Sequence, residues 1–283
     1  MAHPHRLPEA GLAMSGPMIE TRLADTVATI TLSRPKVGNA FDVSMASAFR
    51  AAVEGCADDP AVRCIVVTGA GRMFCVGGDI GAMAQAGGDR ATMLEQLIED
   101  LHAALFRLAT MPKPLVVAVN GPAAGAGFSL ALLGDVVMAG RSANFLAAYG
   151  DIGLSADGGM SWTLPRIVGL RTAQRLLLLN EKVGAEEALR LGIASKVVAD
   201  DELMHETGTL ASRLAGSSMT SLGAARRLLH ESFQSDFATQ LESEHASMVS
   251  AAGGVDHREG VAAFLARRKP QFSARPGSEG KGA

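Results

Sequence analysis

Residues 115–133 read L-V-V-A-V, then N-G-P-A-A-G-A-G-F-S, then L-A-L-L. The opening run is apolar and rich in valine, which suits a buried strand, and the closing run suits a helix. Between them the chain must turn from one to the other through glycine and alanine alone. Such a turn leaves the first backbone N–H groups of the helix unpaired, with no bulky side chain over them. It therefore holds negative charge, and two anions fit: a phosphate, or the oxyanion of a reacting carbonyl. Ser129 stands one step inside this helix, where a side chain faces the same spot.

The rest of the chain repeats the strand-to-helix step. Residues 26–33 alternate as a strand and run into the breaker-rich S-R-P-K-V-G-N-A segment. Asp42 is placed to cap a helix over 43–57, and 63–68 (R-C-I-V-V-T) is a short buried strand ending in Gly69-Ala70-Gly71. A second glycine turn, Phe74-Cys75-Val76-Gly77-Gly78-Asp79, follows, then Gly87-Gly88 and a long amphipathic helix over 91–110 that stops at Pro112 and Pro114. Further strands are expected at 135–139 and 195–199, which makes the first two hundred residues an α/β plan. From Asp200 onward the spacing is helical, over 202–215, 218–233, 237–251 and 255–268. The expected organisation is a tail over 1–17, a core over 18–200, a helical region over 201–272 suited to subunit contact, and a second tail over 273–283.

Composition narrows the function. Aromatic residues make up only 4% of the 283 and the net charge is -3, so neither stacking platforms nor a basic field is present for nucleic acid. Cys56, Cys64 and Cys75 form an odd set without metal-ligand spacing, which predicts free thiols, no metal site and a reducing, cytoplasmic setting. No run is long and apolar enough for a membrane span, and residues 1–17 lack the apolar stretch of a leader. Small-molecule chemistry is what remains.

Several segments, in order, resemble the crotonase superfamily, the enoyl-CoA hydratases and isomerases. They are Ser33-Arg34-Pro35 with Asn39-Ala40, T-G-A-G-R-M-F-C-V-G-G-D over 68–79, K-P-L-V-V-A-V-N-G-P-A-A-G-A-G over 113–127, and R-E-G-V-A-A-F-L over 258–265. The resemblance covers about residues 18–272. It implies a superhelix of ββα units, a C-terminal helical part that builds homotrimers or hexamers, and an acyl-CoA substrate whose coenzyme A needs no further cofactor. It also implies that the backbone N–H groups of Gly78 and Ala126 form an oxyanion hole for the thioester carbonyl. Each such donor is worth roughly 3–4 kcal/mol in the transition state, and the helix starting near Ala126 adds its positive end. Arg34, Lys36 and Arg72 near the turns, with Phe264 and Lys269 from a neighbouring subunit, are the implied coenzyme A contacts.

Hydratases of this family split water between two glutamates, whose positions here hold Ser129 and Tyr149. Neither hydroxyl is a useful base near neutral pH. Asp157, in I-G-L-S-A-D-G-G-M-S-W, is similar in place to the aspartate of certain crotonase isomerases. One carboxylate suffices to take a proton from one carbon and return it to another while the oxyanion hole holds the dienolate. Asp157 needs an apolar surround to become a good base, and Phe128, Phe145, Leu146 and Trp162 are the expected suppliers. Its competing role is a helix cap before Gly158-Gly159. Asp151 reads as a loop charge and Cys75 as a buried thiol. A chlorobenzoyl-CoA dehalogenase of the family pairs this carboxylate with a tryptophan and a histidine. Those positions hold Tyr149 and His102, and His102 reads otherwise as a solvent-facing helix residue. An altered hydratase using Ser129 or Tyr149, and a non-catalytic acyl-CoA binder, are the alternatives.

Overall fold

The computed structural model describes residues 16–272, so both expected tails lie almost wholly outside the described residues. The first strands, β1 (Ile19–Ala24) and β2 (Val27–Leu32), form an antiparallel hairpin, and α1 (Val43–Asp58) follows. Asp42 caps α1 as expected, accepting from the Met45 N–H at 2.8 Å. Next come β3 (Cys64–Gly69), the short α2 (Ile80–Gln85) and the long α3 (Arg90–Thr110). The opening motif supplies β4 (Leu115–Val119), β5 (Pro122–Ala124) and α4 (Ala126–Ala131), and then come β6 (Val136–Gly140) and β7 (Asn144–Leu146). The middle of the chain adds α5 (Met160–Val168), α6 (Leu170–Leu178), β8 (Val183–Gly184), α7 (Ala185–Leu191) and β9 (Lys196–Val198). Four helices close it: α8 (Leu203–Ala215), α9 (Met219–Glu231), α10 (Phe237–Ala252) and α11 (Val255–Leu265).

The main sheet has the order β1-β2-β3-β4-β6-β9 and is parallel from β2 onward. Strand alternation divides its side chains. Ile65, Val67, Val117 and Val119 face a core closed by α1 and α3, while Cys64, Val66, Val116 and Ala118 face α8 through Leu203, Ala211 and Ala215. Both faces are covered, which is why β3 and β4 read as continuous apolar runs instead of alternating. A smaller sheet, β5-β7-β8, branches off where the chain leaves β4. No helix among the described residues is long and apolar enough to cross a membrane.

The small sheet, β1, α6 and α7 went unread in the sequence. Strands of two or three residues carry no measurable period, and β1 exposes most of its side chains, so its burial pattern is nearly flat.

Candidate active site

The two glycine turns meet beside the small sheet. Phe74 and Cys75 both donate backbone N–H to the Pro122 carbonyl, at 3.1 and 3.2 Å, and Ala124 N–H donates to the Cys75 carbonyl at 2.9 Å. Gly127 permits this approach: a Cβ there would lie 2.1 Å from the Cys75 carbonyl oxygen, so any side chain would push the turns apart. Asn39, wholly buried, has its side-chain amide within 3.1 Å of the carbonyls of Ala70, Met73 and Phe74, and Asn120 braces the same loop through Gly69 and Gly71.

Locked in this way, Gly78 and Ala126 face one cavity of about 390 Å³. Among the described residues neither N–H has a hydrogen-bond acceptor within the chain, so both are available to an oxygen in the cavity. The helix behind Ala126 is only six residues long. Its dipole therefore adds less than expected, and the two donors themselves carry the effect.

The cavity is apolar on one side, where Met83, Leu94, Leu97 and Ile98 come from α2 and α3 and Ile152 and Leu154 from the loop before α5. Asp157 lies on its other wall, with Tyr149. The side chain of Asp157 caps no helix. It meets the imidazole of His102, whose Nε2 is 2.6 Å from Oδ1. Its backbone carbonyl accepts from Ser129 Oγ at 2.7 Å and from the Met160 N–H at 3.2 Å, with the Tyr149 hydroxyl 3.3 Å away. Ser129 Oγ and Tyr149 Oη are themselves 3.1 Å apart. The two hydroxyls thus hold the loop that presents Asp157.

Burial pushes the Tyr149 phenol up to about 12, which keeps it a neutral donor. Burial likewise raises the Cys75 thiol to about 12, against use as a nucleophile. All three cysteines are buried and free.

Several expected site residues stand elsewhere. Phe128 and Phe145 pack on each other in the core at 5.3 Å between centroids, and Leu146 is absent from the cavity wall. Trp162 faces away, packed against a tilted His230 and the edge-on ring of Phe233 and capped by the Arg166 guanidinium at 4.1 Å. The apolar residues that share the cavity with Asp157 come instead from α2, α3 and the 152–154 loop. Arg34 does not stand free for a phosphate: it is bound to Asp42 and Asp79, each at 3.0 Å, and to the Ala40 carbonyl. Lys36, Arg72, Phe264 and Lys269 are exposed. Asp151 borders the cavity mouth, but its carboxylate accepts from Asn180 Nδ2 at 2.5 Å, as a loop charge does. The His102 contact was not legible in the sequence, where His102 reads as a solvent-facing helix residue, because its partner lies 55 residues away.

The enoyl-CoA hydratase/isomerase family model matches residues 22–275. This chain belongs to that family. A probable enoyl-CoA hydratase of Rhodobacter capsulatus is 38% identical over 262 residues, 93% of this chain and all of the relative. A 1,2-epoxyphenylacetyl-CoA isomerase of Escherichia coli is 39% identical over 250 residues, 88% of this chain and 95% of the relative. Among solved structures, an enoyl-CoA hydratase from Polaromonas sp. JS666 superposes with a TM-score of 0.86 at 33% identity, over 90% of this chain and 99% of that one. The fold is therefore the crotonase superhelix expected from the motifs, and the family acts on acyl-CoA thioesters.

Proposed function

We propose that this member of the family moves a carbon–carbon double bond in enoyl-CoA thioesters. The thioester oxygen sits between the Gly78 and Ala126 N–H groups, and Asp157 carries the proton. The observation that supports this most is the composition of one cavity. It holds the two unpaired donors, and Asp157 is its one described carboxylate not bound to a loop amide. Asp157 takes a proton from the α carbon, the electron pair runs into the enolate oxygen, and the protonated carboxyl returns a proton to the γ carbon. The oxyanion donors act only once charge has developed, so they lower the barrier and not merely the binding energy.

Water addition is the second reading, and the name of the Rhodobacter capsulatus relative favours it. Against it, the hydroxyls at the two hydratase positions are already engaged with the Asp157 carbonyl and with each other. Lys36 and Arg72 are assigned to the coenzyme A phosphates, and Phe264 and Lys269 to the nucleotide across a homotrimer or hexamer interface, in the cytoplasm and without a further cofactor.

The test follows conversion of 3-hexenoyl-CoA to the conjugated 2-enoyl thioester. Asp157→Asn keeps the side chain's size and removes its basicity, and kcat is expected to fall by about a thousandfold. Unchanged kcat in that variant contradicts the assigned role.

A further inference from the structure

His102 and Asp157 stand on opposite sides of a wall. Asp157 borders the cavity that holds the two oxyanion donors, whereas His102 borders a second, larger cavity of about 740 Å³ between α3, α5 and α9. The imidazole side chain is 48% exposed and the carboxylate 24%. The wall is otherwise tight. A Cβ on Gly158 would lie 2.8 Å from Ser129 Cβ and 3.2 Å from Leu105 Cδ1, so the backbone there fills the gap between loop and α3. The Asp157 carboxylate has no other hydrogen-bond partner among the described residues, and Tyr149, which lines the same cavity, is held neutral by burial.

Resting on the proton-shuttle reading above, we infer that His102 is the route by which the Asp157 proton exchanges with solvent. The step balances. When the α C–H bond breaks, Asp157 gains an O–H. That proton passes along the 2.6 Å contact to His102 Nε2, giving an imidazolium; the half-exposed ring then turns away from Asp157 and its Nε2–H exchanges with water on the far side. Among the described residues neither ring nitrogen has a protein partner besides Asp157, and the side chain is 48% exposed. The ring returns with a solvent hydron on Nε2 and gives that hydron to Asp157, with no net gain or loss over the cycle. Exchange competes with direct return of the original proton to the γ carbon. His102 touches no substrate atom in this scheme and acts through Asp157.

The prediction concerns label and not rate. With 3-hexenoyl-CoA in D2O, stopped at low conversion, wild type places deuterium at the γ carbon of the 2-enoyl product in a fraction of turnovers. His102→Gln can still donate a hydrogen bond to the carboxylate but cannot relay a proton, and its deuterium per turnover is expected to fall by about tenfold. His102→Ala is expected to fall similarly and to recover label when imidazole is added, a rescue that a purely structural role does not give. Because the readout is a ratio, slower turnover in a variant leaves it interpretable. Equal deuterium in wild type and both variants, or none in wild type, overturns the role of His102 while leaving the isomerase reading intact. Absence of turnover by wild type on enoyl-CoA isomers overturns the isomerase reading itself.

Discussion

Ser129 and Tyr149 converge on a single carbonyl oxygen, that of Asp157. The two positions at which hydratases of the family carry glutamates here brace the loop that carries Asp157. Gly158, at φ +62°, packs close to Ser129, where a Cβ on the glycine would lie 2.8 Å from the serine Cβ, and a longer acid at 129 adds to that crowding. Ser129→Glu is therefore expected to destabilise the fold by about 1–3 kcal/mol in urea unfolding, and to confer no hydration of crotonyl-CoA. Tyr149 is the only tyrosine of the chain, so phenolate absorbance reads it alone. Its titration is expected near 12 instead of 10. The sign for stability follows. Between pH 10 and 12 the unfolded chain releases this proton while the native state keeps it, so stability falls with rising pH there. The loss is on the order of 2 kcal/mol, and it is expected to vanish in Tyr149→Phe.

The two glycine turns were legible because close approach leaves a compositional trace. Only glycine survives at Gly127 with the Cys75 carbonyl so near, and the same crowding fixes the N–H of Ala126 beside that of Gly78. The walls were legible only in part. Met83, Leu94 and Leu97 line the pocket from α2 and α3, but α2 is only six residues long and went unread, and a pattern along α3 does not say which of its apolar residues face a cavity. The mistaken choice of Trp162, by contrast, followed from counting along the chain. Trp162 sits five residues after Asp157, but α5 begins between them and turns it to the opposite side, under α9. Arg226, on a helix with an arginine beside it, is not a solvated charge: its guanidinium is largely buried against the Asp135 carboxylate and the carbonyls of Leu108 and Met111, tying α9 to the core. Arg226→Ala leaves Asp135 and two carbonyls short of a donor, and is expected to cost about 2–4 kcal/mol. Trp162, the only tryptophan, packs against His230 near the end of α9 and reports the loosened helix by fluorescence.

Among the described residues the sheet is covered on both faces while the last helices are sparsely buried. Phe264 and Leu265 on α11 are 82% and 76% exposed, and Phe237 and Met248 on α10 are similarly bare. Such apolar exposure is what association covers. Sedimentation is expected to give a trimer or a multiple of it, and Phe264→Glu to shift the population to smaller species and weaken acyl-CoA binding. Assembly size was not readable from the residues themselves, because a self-complementary surface shows in one chain only as unpartnered helix faces. The central claim is narrower than assembly: Asp157 and the two backbone donors serve proton transfer, not water addition. It is tested most directly by comparing, on one preparation, the kcat/KM for isomerisation of 3-hexenoyl-CoA with that for hydration of crotonyl-CoA. Isomerisation faster by about a hundredfold or more is the predicted result. Hydration as fast as isomerisation, and lost in Ser129→Ala, would contradict it.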